Sequence, residues 1–298
     1  MANKTLSANT VTVAPTTAAQ AHAQRGRGVP RRLVGHLVLI LLSALFTIPF
    51  YWLLSTSLKP PEQLFRLPPE WIPNPVMWSN YAKATTFIPF FRYFGNTLYI
   101  TIFNVFAILV SCSLVAYGFA RIQWPGRDGL FMVLISTLMI PSAVTLIPTF
   151  IIFRNLGWVG TPNPLTWPAF TGNAFYIFLL RQFFLTIPSE LSAAAKIDGA
   201  SEFQIYWRII LPLARAALAA VALFTFMANW NDFIGPLIYL SDKDQFTLAI
   251  GLYGFLSRVR TEWGPLMAAS TIMIAPVIVL FFFTQRTFIQ GITMTGIK

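Results

Sequence analysis

PSELSAAAKIDGASEFQIYWRIILP, residues 188–212, carries most of the charge in the middle of a very apolar chain and lies between two long charge-free runs. Ser189 reads as a helix N-cap, with Glu190 in the first turn, where a carboxylate meets the positive end of the helix. Ser192, Ala193, Ala194 and Ala195 are small, so a short helix here can enter a cleft without side chains holding its backbone away. Asp198-Gly199 then signals a helix end in left-handed backbone. Ser201 and Gln204 have capping-box spacing and start a second helix almost at once. Ile197, Phe203 and Ile205 are expected to anchor the elbow against a bundle. The product is helix, glycine elbow, helix: a lever suited to passing force from a soluble partner into a membrane span. An ordinary helical loop at the membrane face carries the same local signals.

The flanking sequence decides the fold class. Of 298 residues, 56% are hydrophobic and only 10% charged, against about 25% charged in soluble domains. Six windows are apolar enough to cross a bilayer, which predicts an all-α polytopic membrane protein. The spans are expected near residues 33–58, 93–120, 129–153, 167–185, 201–231 and 263–284. Residues 1–32 form a basic N-terminal tail, 33–290 the membrane domain with its polar helix at 189–200, and 291–298 a C-terminal tail. The net charge of +11 concentrates beside the hydrophobic runs on the side that would hold both termini, which places both in the cytoplasm by the positive-inside rule. That explanation displaces nucleic-acid binding as the source of the basic charge, and it makes the lipid bilayer the first partner.

Within the spans, Asn96 and Asn104 need partners inside the bundle, since an unpaired amide in lipid is costly. Pro141 and Pro148 predict a kinked or locally open third helix. The stretch 59–92, rich in proline, tryptophan and tyrosine, reads as an external segment lying along the membrane surface. Residues 232–262 form a polar external loop, with TLAIGLYGFL as a short surface or re-entrant helix. Cys112, the single cysteine, reads as an inert buried thiol.

Two other function classes lack the residues they need. A membrane-embedded enzyme needs a nucleophile or metal set, yet the histidines are only His22 and His36 and the spans hold no paired carboxylates. An ion-coupled secondary transporter tends to bury an acid in the bilayer, and the core spans contain no Asp or Glu. Nor does the chain contain a GxxxxGK[ST] loop, so any ATP hydrolysis belongs to another subunit.

The stretch ELSAAAKIDGASEFQIYWRIILPLARAALA (190–219) resembles the signature loop of the inner-membrane permease subunits of bacterial ABC importers. The carbohydrate branch, on the side of the maltose transporter's smaller permease subunit, is the nearest likeness. FTIPFYWLLSTSLKP (46–60), NTLYIT (96–101), SLVAYGFAR (113–121), NAFYIFLLRQFFLTIP (173–188), WNDFIGPLIYL (230–240) and FFFTQRTFIQGITMTGIK (281–298) extend the resemblance over the chain beyond the tail. It implies a type I ABC importer permease fold in the bacterial inner membrane. It further implies a second homologous permease, two ATPase subunits and an extracytoplasmic solute-binding protein as partners. This chain would hold no cofactor, with ATP and Mg on the ATPase subunits. By the match, Glu190, Ala193, Ala194, Ala195, Asp198 and Gly199 are the ATPase-coupling residues, while Gly291, Thr293 and Gly296 lie on a tail reaching toward the ATPase interface. Ala193 stands where the family usually has a glutamate that pairs with an ATPase arginine, and Glu190 lies nearly one turn earlier on roughly the same face. Asn104, Thr145, Asn173, Tyr176 and Asn229, polar or aromatic residues of the middle spans, are candidates to line the solute path.

Overall fold

The computed structural model describes the backbone of residues 28–256 and 261–295 and the side chains of 33–256 and 261–285. Residues 1–27 and Gly296, both subjects of the expectations above, lie outside the described residues. Among those described, the chain is helical, apart from one isolated bridge between Leu256 and Thr261. The chain divides into two units, residues 1–52 and 53–298.

The first helix, α1 (Gly28–Ser57), begins five residues before the expected start at Leu33. The side chains from Leu33 to Tyr51 are exposed and almost all apolar, as a lipid-facing span requires. After it comes the proline-rich segment with α2 (Ser79–Phe87), held by polar contacts: Asn80 Nδ2 donates to the carbonyls of Ser57 and Lys59, and Ser55 Oγ to that of Trp71. Trp71, Trp78 and Phe65 stay exposed there, in keeping with aromatic side chains at a membrane–water interface.

The helix α3 (Phe90–Arg121) is the post of the second unit. Cys112, Ala116 and Ala120 recur every four residues and are buried, so α7 (Ala174–Thr186) and α11 (Arg215–Trp230) pack against its C-terminal half. Small residues allow that close approach, which in lipid substitutes for a hydrophobic drive between helices. The N-terminal half of α3 packs instead with α2 and, beyond the short α12 (Ile234–Tyr239), with α13 (Leu248–Tyr253) and α14 (Trp263–Thr295) around Tyr93, Leu248, Phe255 and Ala268. Asn96 donates to the carbonyls of Asp244 and Phe246, and Trp230 Nε1 to that of Met273.

Among the described residues, three helices are long and apolar enough to cross a membrane: residues 33–57 of α1, α3, and residues 263–285 of α14. Three bent pairs qualify as well if each is one span. In the first, α4 (Arg127–Ser136) and α5 (Ser142–Asn155) meet at 100°, with the break at Pro141; Pro148 sits inside α5 without breaking it. The second runs from α6 (Asn163–Thr166) through α7 to α8 (Ser189–Ile197), bent by 74° at Ile187-Pro188. The third corrects the sequence reading, which ran one helix from Ser201 to Asn231. The structure has α9 (Glu202–Ile205), a π-helical segment Tyr206–Ile210 and α10 (Leu211–Leu213), then a 78° bend into α11. Ala214 leaves helical geometry at ψ 14°, two residues after Pro212. The fourth span, expected as one helix from Trp167, is interrupted: Trp167–Thr171 is a 3₁₀ turn and α7 begins only after Asn173. α14 continues past Thr284 to Thr295, placing the backbone of Gly291 and Thr293 on a helix.

Replacing Ala116, which is fully buried on α3, with Leu forces α7 and α11 apart. The expected cost is about 1–3 kcal/mol, read as a lowered unfolding midpoint of the detergent-solubilised chain. An unchanged midpoint would mean that this face is not packed.

Candidate functional site

Two features of the second unit have the geometry of a working site: an exposed elbow and a polar cavity. The elbow is α8 and the turn that ends it. Pro188, rather than Ser189, occupies the N-cap position, and no side chain caps the helix; Ser189 is its first residue. Glu190 stands in the first turn as expected. At the other end Gly199 N–H donates to Lys196 O (3.0 Å) and Ala200 N–H to Ala195 O (2.9 Å). This is the paired bonding of a Schellman ending, and Gly199 supplies its left-handed residue at φ +79°. The capping box on Ser201 is complete in both directions: Gln204 N–H donates to Ser201 Oγ, and Ser201 N–H to Gln204 Oε1.

No residue of α8 is fully buried. Glu190, Ala193, Ala194, Asp198 and Gly199 are exposed, and Ala195 is half-buried against the bundle. Of the three expected anchors only Ile205 is buried; Ile197 is 87% exposed and Phe203 65%. Ile197 follows Glu190 and Ala193–Ala194 at helical spacing, so it extends the exposed face instead of holding it down. The spacing of Ile197 from Glu190 already put it on that face, whereas Phe203 lies beyond the glycine elbow, which resets the helical phase.

Hydrogen bonds fix the underside of the elbow. Arg121 Nη2 donates to the carbonyls of Phe184 (2.7 Å) and Ile187, fastening α3 to the end of α7. Arg181 Nε donates to Phe119 O, and its guanidinium lies 4.0 Å from the centre of the Phe131 ring. Asp128 accepts from Arg127. Glu202 accepts from Lys196 (2.6 Å) and from Tyr117 Oη (2.6 Å).

The cavity, 310 Å³, is lined in part by Asn104, Asn173, Tyr176, Thr225 and Asn229. Four of the five candidate path residues therefore meet in one place. The fifth, Thr145, does not: it is exposed on α5, its hydroxyl donating to Ser142 O, because the bend at Pro141 carries α5 elsewhere. Asn104 Nδ2 donates to Leu165 O (2.8 Å) and to Asn229 Oδ1, and Asn229 Nδ2 to Thr225 O (2.8 Å). Asn104 Oδ1 and Thr225 Oγ1 are buried without a hydrogen-bond partner. Asn173 is partly committed, since its Oδ1 caps α7 by accepting from Phe175 N–H and Tyr176 N–H. Thr225 was absent from the candidates, although it precedes Asn229 by one helical turn and was open to detection by that spacing. None of the lining residues is charged. Among the described residues, no group of three or more His, Cys, Asp and Glu side chains could hold a metal ion.

Comparison with known proteins adds the missing context. Residues 112–294 match the family model described as "Binding-protein-dependent transport system inner membrane component". The chain is 33% identical to the arabinooligosaccharides transport system permease protein AraQ of Bacillus subtilis (strain 168) over 274 residues, covering 90% of this chain and 96% of that protein. It is 31% identical to the diacetylchitobiose uptake system permease protein NgcG of Streptomyces coelicolor, covering 85% and 84%. The sn-glycerol-3-phosphate transport system permease protein UgpE of Yersinia pestis is 32% identical, covering 86% and 94%. In fold, the chain is similar to one chain of a bacterial ABC transporter involved in import of the acidic polysaccharide alginate (TM-score 0.74, 23% identity, 88% and 98% covered). The chain belongs to the family of binding-protein-dependent transport system inner membrane components, as a non-catalytic, multi-pass permease subunit of an ABC importer in the inner membrane.

Proposed function

We propose that this subunit forms one wall of an ATP-driven path for a neutral oligosaccharide, taking the position of the smaller permease subunit in maltose-type importers. The observation that carries the reading is the uncharged amide and hydroxyl lining of the 310 Å³ cavity. Such groups exchange hydrogen bonds with sugar hydroxyls, whereas an anionic solute such as glycerol 3-phosphate calls for a cation, and none lines this wall. The oligosaccharide systems among the relatives agree with that chemistry.

A second homologous permease closes the other side, a solute-binding protein delivers from outside, and two ATPase subunits bearing ATP and Mg dock beneath. Both termini lie in the cytoplasm. The exposed face Glu190, Ala193, Ala194, Ile197 with the Gly199 elbow enters a cleft on the ATPase, and residues from Gly291 onward reach toward the ATPase interface. Ala193 removes the customary carboxylate from that face, and Glu190 takes over its pairing. ATP-driven closure displaces α8, the rod α9–α10 transmits the displacement to α11 and α3, and the cavity alternates between the two sides of the membrane.

Reconstituted transporter should take up labelled arabinotriose or diacetylchitobiose in an ATP-dependent manner and leave glycerol 3-phosphate outside. Uptake of the anion alone, or uptake driven by an ion gradient without ATP, contradicts the reading. Gly199→Val places a β-branched residue at φ +79°, a strain of about 1–2 kcal/mol; Ala194→Trp adds bulk to the docking face. Both variants should reach the membrane in normal amount and lose uptake, and normal uptake by both would remove the docking assignment. Glu190→Ala should weaken co-purification with the ATPase, since charge-assisted pairs contribute about 1.5–3 kcal/mol; undiminished co-purification would show that Glu190 carries no such pairing.

A further inference from the structure

A left-handed glycine joins α8 to the rod that follows, and packing does little to stiffen that joint. Space around Gly199 is open: a Cβ built there meets nothing within 4 Å. α8 itself has no fully buried residue, with Ala195 and Ala200 giving partial contact to the bundle. A docking helix on such a joint can pivot, and a pivot dissipates the displacement it is meant to pass on.

We propose that Glu202 is a positioning residue that braces the Gly199 elbow and ties it to α3; the proposal rests on α8 being the ATPase-docking helix. Its two carboxylate oxygens serve two different elements. Oε1 accepts from Lys196 Nζ at 2.6 Å, which spans the elbow from α8 to α9. Oε2 accepts from Tyr117 Oη at 2.6 Å, on α3. One turn further along both helices, Tyr206 Oη and Ser113 Oγ share a buried hydrogen bond of 2.7 Å, and the rings of Tyr117 and Tyr206 meet edge to face at 5.3 Å. Glu202 with Tyr117 and Tyr206 with Ser113 are thus two successive rungs between the rod and α3. With the brace in place, displacement of α8 reaches α3 across these rungs as well as α11 along the backbone. Lys196 and Glu202 are about half-exposed, so the ion pair adds little to folding stability. Its effect is on the rigidity of the joint.

The test uses the transporter assembled with cysteine-free partner subunits in lipid nanodiscs and a Cys112→Ala background, which removes the only cysteine of this chain. Spin labels are placed on cysteines at Leu191 on α8 and Phe106 on α3, both exposed. Their separation is measured without nucleotide and with ATP and orthovanadate. In the parent the separation should be the same in both states, because α8 and α3 move together. In Lys196→Met, Glu202→Gln and Tyr117→Phe it should shift by about 2 Å on nucleotide trapping, the scale of a helix displacement at an interface. Glu202→Gln keeps the side-chain shape but leaves a single acceptor oxygen, so one arm is lost. Lys196→Met alters only an exposed position and so guards against misfolding. Variants that keep the parental separation in both states overturn the brace, and so does a parent that itself shows the shift. Gly199→Val co-purifying with the ATPase at parental level overturns the docking reading and the brace with it. Loss of the ATPase from Gly199→Val, with the Lys196, Glu202 and Tyr117 variants behaving as the parent, removes the brace alone.

Discussion

Cys112, Ala116 and Ala120 fall four residues apart on α3, and because none has a long side chain, α7 and α11 can lie against that face. In lipid the helices gain nothing from leaving water, so close packing and interhelical hydrogen bonds must hold them. Both are present here. The small-residue seam sets the spacing, and at that spacing Asn104 reaches Asn229 and Leu165 O, Tyr206 reaches Ser113, and Arg121 reaches the last carbonyls of α7. A bulkier seam would break all of these at once. The cavity and the elbow, at different points along the same post, depend on one constraint.

The three bends give the second unit its mechanical character. Each has a proline at or beside it: Pro141 between α4 and α5, Pro188 between α7 and α8, and Pro212 before the turn at Ala214. A proline removes one backbone donor and crowds the preceding turn, so a helix interrupted there can change direction without leaving a donor unpaired. Two bends frame the segment 189–213, which leaves one span, presents α8 outward and enters the next span at 78°. Displacement of a segment so framed is delivered across the bundle as well as along the chain, which suits a subunit that must borrow its energy.

Much of this was legible in the residues, because much of it is local. The hydropathy runs located the spans, Asp198-Gly199 the helix ending, and Ser201 with Gln204 the capping box, each signal being satisfied within a few residues of itself. What was lost depended on direction. Phe203 was expected inward and points outward, since the phase across an elbow is set by the elbow's own dihedral angles; Ile197, also expected inward, shares the exposed face of Glu190 and Ala194 by a spacing the sequence did show. Thr145 was grouped with the cavity because the angle at Pro141 is invisible in a string of letters. The break at Ala214 has no glycine or proline at the position itself. Lys196 and Glu202, six residues apart, have no meaningful helical spacing, and Tyr117 is a further span away, so their joint carboxylate contact belongs to the tertiary structure alone. Ser189 failed as a cap for a simpler reason: the helix starts on it.

The central claim is that α8 seats in an ATPase subunit, and a photo-crosslinking amino acid at exposed position Ala193 tests it most directly. In native membranes, illumination should join this chain to a subunit that contains a nucleotide-binding P-loop. The same group placed at exposed Phe65, in the segment assigned to the opposite side, should give no such product. A crosslink to that ATPase from Phe65 but not from Ala193, or lipid adducts alone from Ala193, would contradict the account.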